Sequence, residues 1–114
     1  MDAHLLAEER SLEYHRVLAE RLREQPEILD AARRRVQDLL EAAAGSGAPA
    51  PAWATRWAAL LAGEIPAVAA FLVERSELAN ELRQSSPFAG SLRPRERWEI
   101  WRATRERLSP ARRS

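Results

Sequence analysis

Cysteine and lysine are both absent from this 114-residue chain, and each absence excludes something. Without cysteine there are no disulfides and no thiolate metal sites, which suits a reducing compartment. Without lysine, all 18 basic residues are arginine. With so much alanine, that usage is what a GC-rich bacterial genome produces. It also gives every cation a planar fork able to grip two acceptors at once. Only 4 glycines are present, and none belongs to a phosphate-cradling motif. No apolar run approaches the length of a membrane span, and the acidic start from Met1 to Arg10 lacks the apolar stretch of a signal peptide. A cytoplasmic location with no membrane contact is expected. β-Branched residues are few and period-2 alternation is missing, so no strand is expected.

Charge is present but unevenly placed. The formal net charge is +1. Residues 93–114 carry eight Arg and three Glu, a net +5, while residues 1–92 carry ten Arg and fourteen acids, a net −4. A basic C-terminal end of this kind suits an acidic protein partner or nucleic acid, although a solvated polar face has the same composition.

Helical periodicity dominates the rest. Leu5, Leu12, His15, Leu18, Ala19 and Leu22 share one face of a helix from about Ala3 to about Arg23, and Leu6, Tyr14 and Val17 lie on a broader opposite side. Such a two-sided helix is sandwiched, either inside the fold or against another chain. Pro26, Glu27 and Asp30 open a second helix, with acids where the helix dipole favours them. Its stripe is Ile28, Leu29, Ala32, Val36, Leu39, Leu40 and Ala43, and Gly45 is its expected C-cap. A flexible Gly/Ala/Pro linker at about 45–51 follows, then a short helix from about Ala52 to Ala62 bearing Trp53, Trp57, Leu60 and Leu61. Gly63 ends that helix and Pro66 starts the next. If the latter ran unbroken to Gln84, Arg75 would fall within the apolar stripe, so a break with Ser76 as N-cap is preferred. Pro94 opens the last helix, which reaches about Leu108 before Pro110 and a frayed tail at Ala111–Ser114.

No catalytic constellation is visible. His4 and His15 lie about three turns apart and cannot share a site on one helix. His15, on the apolar face, reads as a satisfied core histidine. Ser85 and Ser86 lack a nucleophile elbow and suit a turn better. Gly90 suits a positive φ. A helix-turn-helix over Val68–Leu82 fits poorly, because Glu77 and Glu81 would face phosphate. In the last helix Trp98, Trp101, Arg105 and Leu108 share a face, with Arg97 at its edge. That places Arg105 beside the indoles and favours the tryptophans as core. The alternative is that Trp and Arg here are hot spots for a protein partner, a reading as good as a solvated face for Arg93, Arg95 and Arg97. Arg95, Glu99, Arg102 and Glu106 form a ladder worth tenths of a kcal/mol per pair.

One block is more specific. Leu82-Arg83-Gln84-Ser85-Ser86-Pro87-Phe88-Ala89-Gly90, followed by Pro94-Arg95-Glu96-Arg97-Trp98, resembles a motif of small bacterial antitoxin-like proteins. The looser frame around Trp57-Ala58-Ala59-Leu60-Leu61-Ala62-Gly63 is similar too. The departure is Arg93, where a Ser or Thr N-cap would be expected; either Ser91 supplies the cap or the helix start is weaker.

The expectation is an all-α, single-domain bundle of five or six helices spanning 1–114, with no enzyme activity and no cofactor or metal. The resemblance implies a module that neutralises a toxin, such as a ribonuclease or nucleotidyltransferase, by direct binding. The partner-binding candidates are Arg83, Ser85, Ser86, Phe88, Arg93, Arg95, Arg97, Trp98 and Arg102. The alternatives are a nucleic-acid-binding transcriptional regulator using the basic C-terminal helix, with only weak sequence support, and a homodimeric structural protein.

Overall fold

A computed structural model describes residues 3–109. It contains six helices and, among the described residues, no strand: α1 (Ala3–Arg21), α2 (Glu27–Ser46), α3 (Ala52–Leu61), α4 (Ile65–Leu72), α5 (Glu77–Arg83) and α6 (Pro94–Arg107). This is the expected single-domain, all-α bundle. The expected tail at Pro110–Ser114 lies outside the described residues.

α1 packs against α6, α4 and α5, while α2 packs on α3. Of the two-sided apolar pattern of α1, Leu12, Tyr14 and Leu18 are buried within the chain, while Leu5 is exposed. One core joins elements on both sides of the linker: Leu18 from α1, Leu22 just beyond it, Leu29 and Val36 from α2, Trp57 and Leu61 from α3, Leu72 from α4, Leu82 from α5, and Phe88 and Leu92 from the turn before α6. Trp57 is fully buried with its Nε1–H donated to Leu82 O at 3.1 Å, so its indole adds apolar area without an orphaned donor.

Helix ends follow local chemistry, with one correction. α2 does not stop at Gly45 but continues to Ser46, and the left-handed residue is Gly47 at φ 76°, whose N–H bonds Ala44 O. Pro49 biases Ala48 towards extended backbone, so the helix runs to the last glycine before that restriction and stops there. The break before α5 forms as expected: Ser76 Oγ accepts the Ala79 N–H at 3.1 Å. Arg75 thereby leaves the apolar stripe and pairs with Glu9 of α1 at 3.3 Å. At α6 neither Ser91 nor Arg93 supplies a side-chain cap. Glu96 does so instead, accepting the Arg93 N–H at 3.3 Å, which is half of a capping box.

Candidate functional site

The block over 82–92 has a structural role that begins with its backbone. A chain crossing the core without regular structure must find partners for its buried N–H and C=O groups. Here side chains from neighbouring helices and from the turn itself supply them. Tyr14 Oη donates to Phe88 O at 2.7 Å and receives the Leu92 N–H at 3.4 Å. Arg35 Nη1 donates to Pro87 O at 2.7 Å and to Ala89 O at 2.6 Å. Ser85 Oγ donates to Leu82 O at 3.2 Å. Gly90 takes the left-handed position, φ 84°, in a turn closed by Ser91 N–H on Phe88 O at 3.0 Å. The Phe88 ring is sealed edge-on against His15 and Trp57, with centroids 6.4 and 6.3 Å away. Phe88 is therefore an internal anchor and presents no surface to a partner.

His15 and Ser86, on different elements, meet at the base of this turn. His15 Nδ1 lies 2.7 Å from the Ser11 carbonyl, which can only accept, so Nδ1 carries the proton. Nε2 then accepts the Ser86 hydroxyl at 2.7 Å. Ser86 Oγ in turn receives the Phe88 N–H at 3.1 Å. The pair has the spacing of a nucleophile and its base, but the orienting group is a neutral carbonyl and not a carboxylate. Burial, the largest cause, lowers the His15 pKa to about 4; the Ser11 hydrogen bond opposes that shift and the Arg83 charge reinforces it. An imidazole so reluctant to become imidazolium is a weak general base, and the pair acts as a hydrogen-bonded tie between α1 and the turn.

Arg83 is also an internal group, 3% exposed. Its Nη1 donates to Glu74 O at 2.8 Å and Leu72 O at 3.3 Å, and its Nη2 to Asn80 Oδ1. The guanidinium thus satisfies carbonyls where α4 ends. Burial lowers its pKa most, followed by the nearby charge of Arg75. Arg33 does the same for α3, donating to Leu61 O at 2.7 Å and Gly63 O at 3.1 Å.

The tryptophans of α6 are not core. Trp98 is 58% and Trp101 38% exposed. The reason lies in how α6 is rolled against α1. Glu96, Ile100, Thr104 and Arg107 follow helical spacing; Glu96 pairs with Arg21, and Arg107 Nη2 lies 3.8 Å from Glu13 Oε1. Ile100 packs on the core, and Thr104 is buried with its hydroxyl donated to Ile100 O at 2.8 Å. That stripe faces inward and turns Trp98 outward. Arg105 is not the cation beside the indoles: Arg10 of α1 and Arg97 lie over Trp101, with Cζ 5.4 and 5.8 Å from the ring centroid. Arg93, Arg95 and Arg102 are exposed on the same helix or its cap, and Arg95 approaches Glu99 at 3.8 Å.

Between α1, α6 and the turn lies a pocket of about 310 Å³ lined by Ala7, Arg10, Ser11, Tyr14, His15, Arg83, Ser86, Ala89, Gly90, Arg97 and Trp101. It unites the Trp101–Arg97 edge of α6 with Ser86 and Arg83 of the motif block. Ser85, Arg93, Arg95, Trp98 and Arg102 do not line it. Sequence reasoning missed Arg10, Tyr14, Arg35 and Trp101 as members of this region. Only the Arg33-Arg34-Arg35 run beside Ala32 and Val36 hinted that arginines flank the core. Among the described residues no cluster of His, Asp or Glu is arranged to hold a metal ion, and no helix is long and apolar enough to cross a membrane.

In comparisons with known proteins, no family model, curated protein or solved structure matches this chain.

Proposed function

We propose that this chain is a non-catalytic, cytoplasmic protein-binding module, antitoxin-like in action, whose outward α6 face docks on an acidic partner. The observation that carries this reading is the exposure of Trp98 and Trp101 on a helix whose opposite side is fixed to the core by Ile100 and Thr104. A large aromatic held rigidly in water, with arginines around it, has the composition of an interface hot spot. Arg93, Arg95, Arg97 and Arg102 supply positive charge next to these rings. Where such a partner is a ribonuclease or nucleotidyltransferase toxin with acidic metal-binding residues, arginines placed over them would block the active site. The internal roles of Arg83, Ser85, Ser86 and Phe88 make the motif block the support of this face, with the contact surface formed by Arg93–Arg102.

The test is affinity capture of the tagged chain from its native host, beside the double variant Arg95→Glu, Arg97→Glu. Expected is one stoichiometric co-purifying protein, toxic when expressed alone, retained by the wild type and lost from the variant. Equal recovery by both would remove α6 from the interface. Recovery of nucleic acid in place of a protein, released steeply by added salt, would favour the regulator reading.

A further inference from the structure

We propose that the pocket between α1, α6 and the 84–93 turn is an anion site, taking a carboxylate or phosphate carried on a flat apolar body. Its lining includes Arg10, Arg83, Arg97 and His15, and no aspartate or glutamate. Several guanidinium groups of this fold are matched by acceptors: Arg21 and Arg75 meet carboxylates, and Arg33, Arg35 and Arg83 meet backbone carbonyls. Arg10 and Arg97 depart from that pattern. Both lie against the Trp101 ring, and neither forms a salt bridge among the described residues. Arg10 Nε is buried and makes no hydrogen bond among the described residues. A buried charged donor without an acceptor is costly, and an anion beside this guanidinium would offset that cost.

The remaining polar groups of the pocket narrow the ligand. The Tyr14 hydroxyl proton goes to Phe88 O and the Ser86 proton to His15, so neither is available to a ligand oxygen. Both terminal nitrogens of Arg83 already donate inside the fold, so Arg83 contributes chiefly its field. The donors left over include those of Arg10 and Arg97 and the Ser11 hydroxyl, which suits an oxyanion. Trp101, Ala7, Ala89 and Gly90 supply the apolar wall. A volume of about 310 Å³ has room for one ring and its charged group. The anion has two sources with the same chemistry, a free small molecule or an acidic side chain of a partner seated on α6. The pocket itself stands independently of the partner reading.

The experiment is titration of the ¹⁵N-labelled full chain with phenyl phosphate, benzoate, the capped dipeptide Ac-Asp-Phe-NH2 and the neutral analogue benzamide. The Trp101 indole N–H is followed, with that of Trp98 as the control outside the pocket. Expected is a saturable shift at Trp101 with the anions only, weakened about tenfold or more in Arg10→Gln and in Arg97→Gln. Tighter binding of phenyl phosphate identifies a free ligand, and tighter binding of the dipeptide identifies a partner's side chain; either supports the site. Absence of saturation with every anion, or equal binding of benzamide, overturns it. Neither result alters the co-purification test when that is repeated with Arg95→Glu alone, because Arg95 does not line the pocket.

Discussion

His15 Nε2 accepts the Ser86 hydroxyl at 2.7 Å across 71 positions of chain, while its Nδ1–H is held by the Ser11 carbonyl. This one imidazole ties α1 to the turn that leads into α6, and burial favours its neutral form. Protonation would place a hydrogen on Nε2, so the Ser86 hydroxyl would have to turn and accept, in a buried position near Arg83.

Stability should therefore depend on pH through His15. Burial lowers its pKa from the ordinary histidine value of 6.5 to about 4 in the folded chain. The unfolded chain binds the proton more readily, so the contribution is complete above pH 6.5, declines as pH falls towards 4 and is flat below. The amplitude is roughly 3 kcal/mol. Urea unfolding at pH 7.5 and 4.5, compared between wild type and His15→Gln, isolates this group from the carboxylates. An identical pH dependence in both proteins would show that His15 is not the titrating tie.

Tyr14→Phe removes one oxygen and leaves the ring in place. Phe88 O then loses the donor at 2.7 Å and the Leu92 N–H loses its acceptor. The expected loss is about 1–3 kcal/mol, with faster hydrogen exchange at the Leu92 amide. Unchanged protection of that amide would mean that the turn is held by other contacts.

Arginines here divide into structural and surface classes, and substitution should separate them. Arg83→Met should destabilise by about 3 kcal/mol, because carbonyls at the end of α4 and Asn80 lose a charged donor. Arg83→Lys should recover little, since an ammonium cannot reproduce the fork. Arg95→Met should change stability by less than about 0.5 kcal/mol. Denaturant midpoints for the three variants give the answer; equal losses at Arg83 and Arg95 would contradict the division.

The sequence was informative where a signal is local. Pro26, Ser76 and Pro94 each sit at a helix start, and the cost of burying an unpaired Arg75 was enough to place the break before α5. His15 was legible as an internal histidine, but its partner was not, because no local pattern relates Ser11, His15 and a serine in a distant turn. The exposure of Trp98 and Trp101 ran against hydrophobicity. A helix with tryptophans on one side and Ile100 and Thr104 on the other can bury either, and the observed roll of α6 goes with Glu96 meeting Arg21 and Arg107 meeting Glu13. Those pairings depend on tertiary placement. The motif block raised the same difficulty: Arg83, Ser86 and Phe88 stand out in sequence equally whether they face a partner or hold a turn. Only the groups that they and Tyr14 reach distinguish the two.

The outward face of α6 as the partner surface is tested most directly by the affinity of Trp98→Ala for the captured partner, measured by calorimetry beside its folding stability. Trp98 is 58% exposed, so the folding free energy should move by less than about 0.5 kcal/mol. Affinity should fall by a factor of about 30 or more, corresponding to a hot spot of at least about 2 kcal/mol. Wild-type affinity in a folded Trp98→Ala protein would contradict the proposal and move the interface off this helix.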